Sequence, residues 1–250
     1  MGCGLDLEVW AKTRVRLSEE TSVLLDGKES SAPVSRRVIA DLAPAPVRVE
    51  TDLEMPLGSG FGASGAGALG CAYALNALFG LGKTSNQIGA VAHVAEVVSG
   101  TGLGDVIAQN VGGLVMRLEP GAPGIGSVDR IPVPSLRVDY VVKGPLSTAE
   151  VLSDPGTMTR VNQAGEKALK DLIKKPTLDN FMNLSRRFAN DTSLAEGWRT
   201  DAIEAVEASG GAASMVMLGD AVFALNGAEA LSKFGTVGSA TISQGGVRLE

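Results

Sequence analysis

Histidine and cysteine are nearly absent from this chain of 250 residues, which contains one histidine and two cysteines. A single histidine excludes a zinc site built from several histidines. Cys3 and Cys71 have neither the spacing of a metal site nor that of a disulfide framework. We therefore expect the protein to work in a reducing compartment, the cytoplasm.

An excess of positive charge and long apolar runs are also lacking. Lysine and arginine total 22 against 28 aspartates and glutamates, which gives a net charge of −6. We expect neither nucleic acid nor an anionic membrane surface as the main partner of such an acidic chain. No apolar run approaches the length of a membrane span, and the first residues alternate apolar and charged side chains, unlike a signal peptide.

Hydrophobic periodicity predicts alternating strands and helices in the first half of the chain. Apolar residues recur at every second position of 9–17 and 47–53, as in half-buried strands, and Asp26-Gly27 marks a turn. Segments rich in alanine and leucine that end at glycine predict helices. The predicted elements are a hairpin at Asp26-Gly27, helices over 34–42, 64–79, 84–98 (capped by Thr84) and 106–111, and strands over 47–53 and 113–118.

The second half begins with a long connection over residues 119–135, which is rich in proline and glycine. A strand over 136–142 follows, and three amphipathic helices between 157 and 209 are broken near Pro176 and Thr192. The predicted end of the chain is a hairpin at Gly219-Asp220, a helix over 228–234 and one or two strands. We predict an α+β protein with domains over 1–145 and 146–250.

The most unusual segment is PLGSGFGASGAGALG, residues 56–70, in which six of fifteen positions are glycine and none is charged. It follows a predicted strand and leads into a predicted helix. Glycine lets backbone N–H groups turn toward one point and lets a ligand approach closely. A helix N-terminus adds unpaired N–H groups and the positive end of the helix dipole. The segment therefore predicts a phosphate site, with a turn needed only for packing as the alternative.

Several other loops of known chemistry do not match this stretch. A Walker A loop needs lysine after its last glycine; residues 82–84 spell that ending, but the first glycine would fall at Ala77, inside a helix. Residues 60–65 satisfy G-x-G-x-x-G, yet no acidic residue follows before Glu96 to hold a ribose. The nucleophile-elbow motif G-x-S-x-G does not surround Ser64, and the chain lacks the HRD and DFG motifs of protein kinases.

Glu96 and Asp105 are the first acidic residues after the glycine stretch. Phosphoryl transfer needs a metal that neutralises the phosphates and a group that orients or deprotonates the attacking hydroxyl. Each residue also has a structural alternative, a solvated helix face for Glu96 and a helix N-cap for Asp105. Beside a phosphate loop we favour a functional role for both.

His93 and Arg117 are two further polar candidates. His93 lies three residues before Glu96, so both side chains project from one helix face, and a core histidine is the alternative. Arg117 lies on a predicted strand, where its guanidinium could bind a substrate carboxylate through two hydrogen bonds. A surface charge is the alternative for Arg117.

The pattern P-x-G-S-G-x-G-x-S-x-A of residues 56–66 resembles motif 2 of the GHMP kinases, which phosphorylate small-molecule hydroxyls with ATP. The usual double serine is replaced by Ala63-Ser64-Gly65. The resemblance implies that Ser64 lies near Mg²⁺, that Glu96 is a metal ligand and that Asp105 is the catalytic base. The residues it implies for ATP binding are Pro56, Gly58, Ser59, Gly60, Gly62, Ala63, Ser64, Gly65 and Ala66.

The segments TGLGDVIAQNVGG, RVNQAGEKAL and ASMVMLGDAVFAL are similar to those of archaeal pantoate kinases. This resemblance implies pantoate as the substrate, a homodimer, and Thr148 as a substrate contact beside His93 and Arg117. It also implies the GHMP kinase fold, with an N-terminal domain like ribosomal protein S5 domain 2 and a ferredoxin-like C-terminal domain. The segment ASMVMLG occupies the place of motif 3 of the superfamily.

One departure from the resemblance concerns the start of the chain. The family begins with a strand carrying a P-x-H-I-T-G-F-F-like motif and a serine-rich loop, whereas this sequence begins MGCGLDL. We therefore expect an exposed sheet edge and an incomplete substrate site. Two alternatives stay open: a GHMP kinase for another acceptor, such as mevalonate or homoserine, and a non-catalytic member that senses a ligand.

Overall fold

The computed structural model describes residues 2–102, 104–145 and 154–250. Its strands form three sheets, and its helices pack against them, as the periodicity predicts for an α+β protein. Within the described residues, no helix has the length and apolar character that crossing a membrane requires.

The first sheet contains β2 (Ala11–Leu17), β3 (Ser22–Leu25), β4 (Lys28–Glu29) and β5 (Val47–Leu53), in the order β2-β5-β3-β4. The hairpin at Asp26-Gly27 is confirmed, because β3 and β4 pair antiparallel across this turn. Both turn residues have positive φ, 49° and 74°, as the commonest two-residue hairpin turn requires. Strand β2 pairs with β5 instead, which separates it from β3.

Three helices pack with this sheet, α1 (Pro33–Leu42), α2 (Ala63–Phe79) and α3 (Ser85–Ser99), and they confirm the predicted helices within one residue. Small residues let α2 come close to β2, since a Cβ on Gly70 would lie 2.6 Å from the Thr13 hydroxyl oxygen. The predicted cap of α3 is present as a capping box between Thr84 and Gln87. The largest buried cluster lies among these helices and β5.

The second sheet has the order β1-β6-β7, with β1 (Gly2–Leu5), β6 (Leu114–Arg117) and β7 (Val128–Ile131). Helix α4 (Asp105–Val111) packs on β1 and β6. Strand β7 was not predicted, since it lies within the connection assigned to 119–135. Only Ile131 of its four residues is buried, so β7 shows no alternation that could reveal it.

The third sheet contains β8 (Arg137–Gly144), β9 (Ala212–Met215), β10 (Asp220–Leu225) and β11 (Val237–Thr241). Its order is β11-β8-β10-β9, and all its pairs are antiparallel. In chain order this is the fourth, first, third and second strand of the unit, the ferredoxin-like arrangement. Helix α8 (Ala228–Leu231) connects β10 to β11.

The three predicted amphipathic helices are confirmed as α5 (Pro155–Lys174), α6 (Leu178–Thr192) and α7 (Trp198–Ala208). Side chains at the N-cap positions start α5 and α6, because Asp154 and Thr177 accept hydrogen bonds from backbone N–H groups three residues further on. Residues of α5 and α6 form one buried cluster with β6 and β7. The second sheet is therefore packed against the C-terminal helices.

The division of the chain at residue 145 stays a prediction. Strand β8 ends at Gly144, yet it pairs with β10 and β11, so sheet membership assigns it to the C-terminal half. An isolated bridge between Leu7 and Ile242 also connects the two ends of the chain. A boundary drawn from sheet membership alone would fall before Arg137.

Candidate active site

The glycine stretch forms a loop over residues 56–62 between β5 and α2. Gly58, Gly60 and Gly62 have φ values of 78°, 85° and 67°, a backbone region that glycine reaches at little cost. Gly62 is the N-cap of α2, and as a glycine it has no side chain that could cap the N–H groups of the first helical turn. Uncapped N–H groups at the positive end of a helix dipole are the arrangement that binds phosphate.

Two contacts hold this loop against the third sheet. Gly219, in the β9–β10 turn, approaches so closely that a Cβ there would overlap the carbonyl oxygen of Ser59. A Cβ on Gly60 would in turn lie 2.8 Å from the Cα of Gly219. Phe61 packs against Tyr140 of β8, with ring centroids 5.2 Å apart. The shape of the loop therefore depends on residues that are distant in sequence.

The other residues implied for ATP binding lie in the loop or in the first turn of α2. Ser59 is buried, and its hydroxyl donates to the carbonyl oxygen of Pro56 at 2.6 Å. This hydrogen bond closes the first turn of the loop. Helix α2 begins at Ala63, so residues 63–66 supply its first turn.

Glu96 lies on α3, is 2 % exposed and reaches the start of α2. Its Oε1 accepts hydrogen bonds from Ser64 Oγ at 2.6 Å and from Thr101 Oγ1 at 2.9 Å. Its Oε2 occupies the place that a Cβ on Gly102 would take. The solvated helix face considered for Glu96 is therefore wrong, because this carboxylate is buried beside the glycine loop.

Asp105 is the first residue of α4, and the N-cap is Gly104, so the N-cap alternative for Asp105 is also wrong. The residue is open to a cavity, but nearby protein atoms still displace water from its carboxyl group. This desolvation, with a smaller contribution from the Glu96 charge, raises the pKa of Asp105 to about 6. The two carboxyl groups flank Gly102, since a Cβ there would also lie 3.6 Å from Asp105 Oδ2.

His93 and Arg117 lie close to each other, and Arg117 also lies near Gly104, the residue before Asp105. His93 is 8 % exposed, and its pKa is lowered by desolvation and by the positive charge of Arg117. Arg117 donates through Nη2 to the Gly121 carbonyl oxygen at 3.2 Å. Its Nη1 would lie 3.0 Å from a Cβ on Gly104, the residue before Asp105. Arg117 is half-buried, so the surface position considered for it is not found, and this burial lowers the pKa of its guanidinium.

Thr148, the remaining predicted contact, lies outside the described residues. Three residues of the site were missed, Thr101, Gln109 and Gly219. Gln109 donates through Nε2 to the carbonyl oxygen of Gly62 at 2.9 Å. Its position four residues after Asp105 on the same helix is a sequence signal that could have identified it. No pattern in the sequence indicates the partners of Thr101 or Gly219.

A cavity of about 1700 Å³ opens beside these residues. The loop residues Gly60 and Phe61 form part of its wall, together with Ala63, Asp105 and Gln109. Its volume exceeds the roughly 300–1,000 Å³ of most ligand sites. Glu96, His93 and Arg117 lie outside this wall, so Asp105 is the acidic residue of the pair that faces the cavity.

The oxygen atoms of Ser64, Glu96 and Asp105 fit the preference of Mg²⁺ for hard oxygen ligands. Ser64 and Glu96 are already joined by a hydrogen bond, and Asp105 lies across Gly102 from Glu96. In the part of the chain that the structure describes, no group of three or more histidine, cysteine, aspartate or glutamate side chains could hold a metal by itself. A metal ion here would need phosphate oxygens as further ligands, as is usual for Mg²⁺ with nucleotides.

Comparison with known sequence families gives one match within the N-terminal half. Residues 32–113 match the GHMP kinases N terminal domain. The matched range contains the glycine loop, Glu96 and Asp105, and it ends before Arg117.

Three curated proteins are similar over most of the chain, including the following two. A pantoate kinase of Thermococcus kodakarensis is 39 % identical over 203 residues, which are 79 % of this chain and 67 % of that protein. A pantoate kinase of Methanocaldococcus jannaschii is 40 % identical over 182 residues, 71 % of this chain and 64 % of that protein. The chain thus spans about two thirds of the length of these relatives.

Among solved structures, a phosphotransferase related to the CoA biosynthesis pathway superposes with a TM-score of 0.87 at 30 % identity. The superposition covers 98 % of this chain and 88 % of that one. It includes both the first sheet with its glycine loop and the ferredoxin-like sheet.

Proposed function

Because this chain belongs to the GHMP kinase family, we propose that it transfers the γ-phosphoryl group of ATP to the primary hydroxyl of pantoate. The product would be 4-phosphopantoate, on the archaeal route to coenzyme A. The observation that carries the proposal is one junction, in which the uncapped start of α2, Glu96 and Asp105 meet. The two pantoate kinases that are 39 % and 40 % identical support pantoate as the acceptor.

The glycine loop and the first turn of α2 bind the triphosphate in this proposal. Backbone N–H groups of residues 63–65 donate to phosphate oxygens, and the helix dipole favours their negative charge. Ser64 and Glu96 would hold Mg²⁺, which would supply positive charge that neutralises the phosphates. The hydrogen bond between these two side chains keeps both ligands at the start of α2.

Asp105 acts as the general base. Its carboxylate accepts the proton of the pantoate hydroxyl as that oxygen bonds to the γ-phosphorus, and the bond to the β-phosphate oxygen breaks to release ADP. A pKa of about 6 leaves Asp105 mostly ionised at neutral pH while giving it more proton affinity than an exposed aspartate. Asp105 lies at the cavity wall, while Arg117, which is not part of that wall, lies next to the preceding residue, Gly104.

Arg117 binds the pantoate carboxylate, with His93 beside it. A guanidinium pairs with a carboxylate through two parallel hydrogen bonds. His93, whose pKa is lowered, is neutral at pH 7 and donates one hydrogen bond without adding charge. Thr148 is proposed as a third contact from the resemblance alone.

The test is ADP release with ATP and Mg²⁺ in the presence of pantoate, mevalonate, homoserine or no acceptor. We expect turnover with pantoate well above the rate without acceptor. Turnover with only mevalonate or only homoserine would show that this compound, and not pantoate, is the substrate. Nucleotide binding without turnover on any acceptor would favour the ligand-sensing alternative.

Two further statements belong to this proposal. The enzyme works in the cytoplasm, in keeping with the two unpaired cysteines. It forms a homodimer, as the resemblance implies, and light scattering of the purified chain tests this directly.

A further inference from the structure

Helix α4 makes an unusually close contact with the last residue of the phosphate loop. A Cβ on Gly62 would lie 2.6 Å from Gln109 Nε2 and 2.9 Å from the Cβ of Asp105. Gln109 and Asp105 are four residues apart, so they present one face of α4 to the loop. Only a residue without a side chain allows this approach, and Gly62 also has φ of 67°.

The Gln109 amide hydrogen-bonds to the carbonyl oxygen of Gly62 at 2.9 Å. The same oxygen accepts the first intrahelical hydrogen bond of α2, from the Ala66 N–H at 3.0 Å. Two donors on one carbonyl oxygen fix the plane of the peptide between Gly62 and Ala63. Because the N–H of that peptide points opposite to its carbonyl, the direction of the Ala63 N–H at the phosphate-binding end of α2 is fixed as well.

The oxygen of the Gln109 side-chain amide indicates that this contact does more than stabilise the fold. Gln109 Oε1 is buried and has no hydrogen-bond partner among the described residues. A buried acceptor without a partner is destabilising, and proteins keep few of them. An apolar side chain of the same shape would avoid this cost, so the donor function of Nε2 is what requires glutamine.

We propose that Gln109 is a positioning residue, which orients the phosphate-binding N–H groups of α2 relative to the base on α4. It carries no chemistry itself. Because the face of α4 that carries Asp105 also contacts the loop through Gln109, this contact fixes the distance between the Asp105 carboxylate and the site of the γ-phosphate. Its kinetic consequence rests on the proposed kinase activity, whereas its effect on nucleotide binding does not.

The variants that test this role are Gln109→Met, which keeps the shape and removes the donor, and Gln109→Glu, which adds a carboxylate beside the Gly62 carbonyl. Asn110→Asp is the matched control, because it adds the same charge on α4 at a residue that contacts Tyr73 instead of the loop. Calorimetry with Mg²⁺ and AMP-PNP measures nucleotide affinity, and ADP release measures kcat and the KM for pantoate.

For Gln109→Met we expect an affinity for AMP-PNP lower by about tenfold and a kcat lower by about 10- to 100-fold. The KM for pantoate stays within about twofold, since Arg117 and His93 are untouched. The Tm changes by less than about 2 °C, because the lost hydrogen bond and the removed buried acceptor offset each other. Gln109→Glu loses more affinity for AMP-PNP and more kcat than Gln109→Met. Asn110→Asp keeps the affinity and kcat of the unchanged protein.

A Gln109→Met protein that binds AMP-PNP and turns over like the unchanged protein would overturn the inference. A lower Tm with unchanged affinity and kcat would likewise overturn it, because it would show a purely structural role. If the unchanged protein binds AMP-PNP but phosphorylates no acceptor, the proposed function fails while the affinity of Gln109→Met still decides the role of Gln109. An unchanged protein that binds no AMP-PNP would contradict both.

Discussion

At the scale of single residues, the site combines two carboxyl groups with different surroundings. Glu96 is buried and held by two hydroxyl groups, which suits a fixed metal ligand. Asp105 faces the cavity and has a pKa raised to about 6, which suits a group that exchanges a proton. Different environments of this kind are how one site separates a metal ligand from a base.

Replacing Asp105 with asparagine tests its role as the base. Asparagine keeps the size of the side chain but cannot accept the hydroxyl proton, so we expect kcat to fall by about 10²–10⁴-fold. The affinity for AMP-PNP should change little. Steady-state kinetics and calorimetry check this. The control is Asp171→Asn, at a half-buried aspartate on α5 that pairs with Lys174. Full activity of Asp105→Asn would remove Asp105 from the mechanism.

Arg117 can be tested through the KM for pantoate. Removing its guanidinium in Arg117→Ala leaves the substrate carboxylate without its charged partner, so we expect that KM to rise by about 10- to 100-fold. The KM for ATP should stay nearly the same. Arg117→Lys keeps the charge but not the planar fork, so its KM for pantoate should lie between those of the unchanged protein and Arg117→Ala. An unchanged KM for pantoate in Arg117→Ala would contradict the proposed pose.

At the scale of elements, the site lies where three helices of the N-terminal half meet a turn of the third sheet. Helix α2 brings its N-terminus, α3 brings Glu96 and α4 brings Asp105. Gly219 in the β9–β10 turn contacts the glycine loop at Ser59 and Gly60. The glycine loop is thus shaped by both halves of the molecule.

Gly219→Ala tests this contact between elements. Its new Cβ would overlap the Ser59 carbonyl and approach Gly60, and neither backbone group can move without moving the loop. We expect a loss of about 1–3 kcal/mol in the free energy of unfolding, together with weaker AMP-PNP binding. Denaturant unfolding and calorimetry measure the two effects. Gly144→Ala is the control, because a Cβ there would meet no described residue within 4 Å; equal behaviour of the two variants would dismiss the contact.

At the scale of the whole molecule, the ends of the chain are joined. The Asp6 carbonyl oxygen accepts a hydrogen bond from the Ser243 N–H at 3.0 Å, and the Asp6 N–H donates to Gly113 at 2.9 Å. Burial at this junction raises the pKa of the Asp6 carboxyl to about 7, although the Ser243 hydrogen bond lowers it. The folded protein therefore binds a proton at Asp6 more tightly than the unfolded chain does.

This preference predicts how stability depends on pH. Between about pH 4 and 7 the folded state binds a proton at Asp6 that the unfolded state has released, so the free energy of unfolding falls as pH rises. Above pH 7 both states have released this proton, so the reduction that Asp6 causes in the free energy of unfolding no longer changes with pH. We expect Asp6→Asn to match the unchanged protein near pH 4 and to be more stable at pH 8. Denaturant unfolding at both pH values checks this, and a difference that does not grow with pH would contradict it.

Local patterns were sufficient to predict most elements of this fold. The capping box at Thr84, the glycines that end α2 and α3, and the breaks at Pro176 and Thr192 all involve neighbours in sequence. Strand β7 was missed because three of its four residues are exposed. Its existence depends on pairing with β6, a long-range event without a local signal.

The sequence by itself determined the glycine loop, the start of α2 and the two acidic residues, because residue type and local spacing dictate these features. The tertiary structure alone decided that Glu96 meets Ser64 and Thr101, that Gln109 holds Gly62 and that Gly219 presses on Ser59. Such contacts depend on how helices and sheets pack. Which distant residues touch depends on how their shapes fit together in the folded chain, so a short segment of sequence does not predict these contacts.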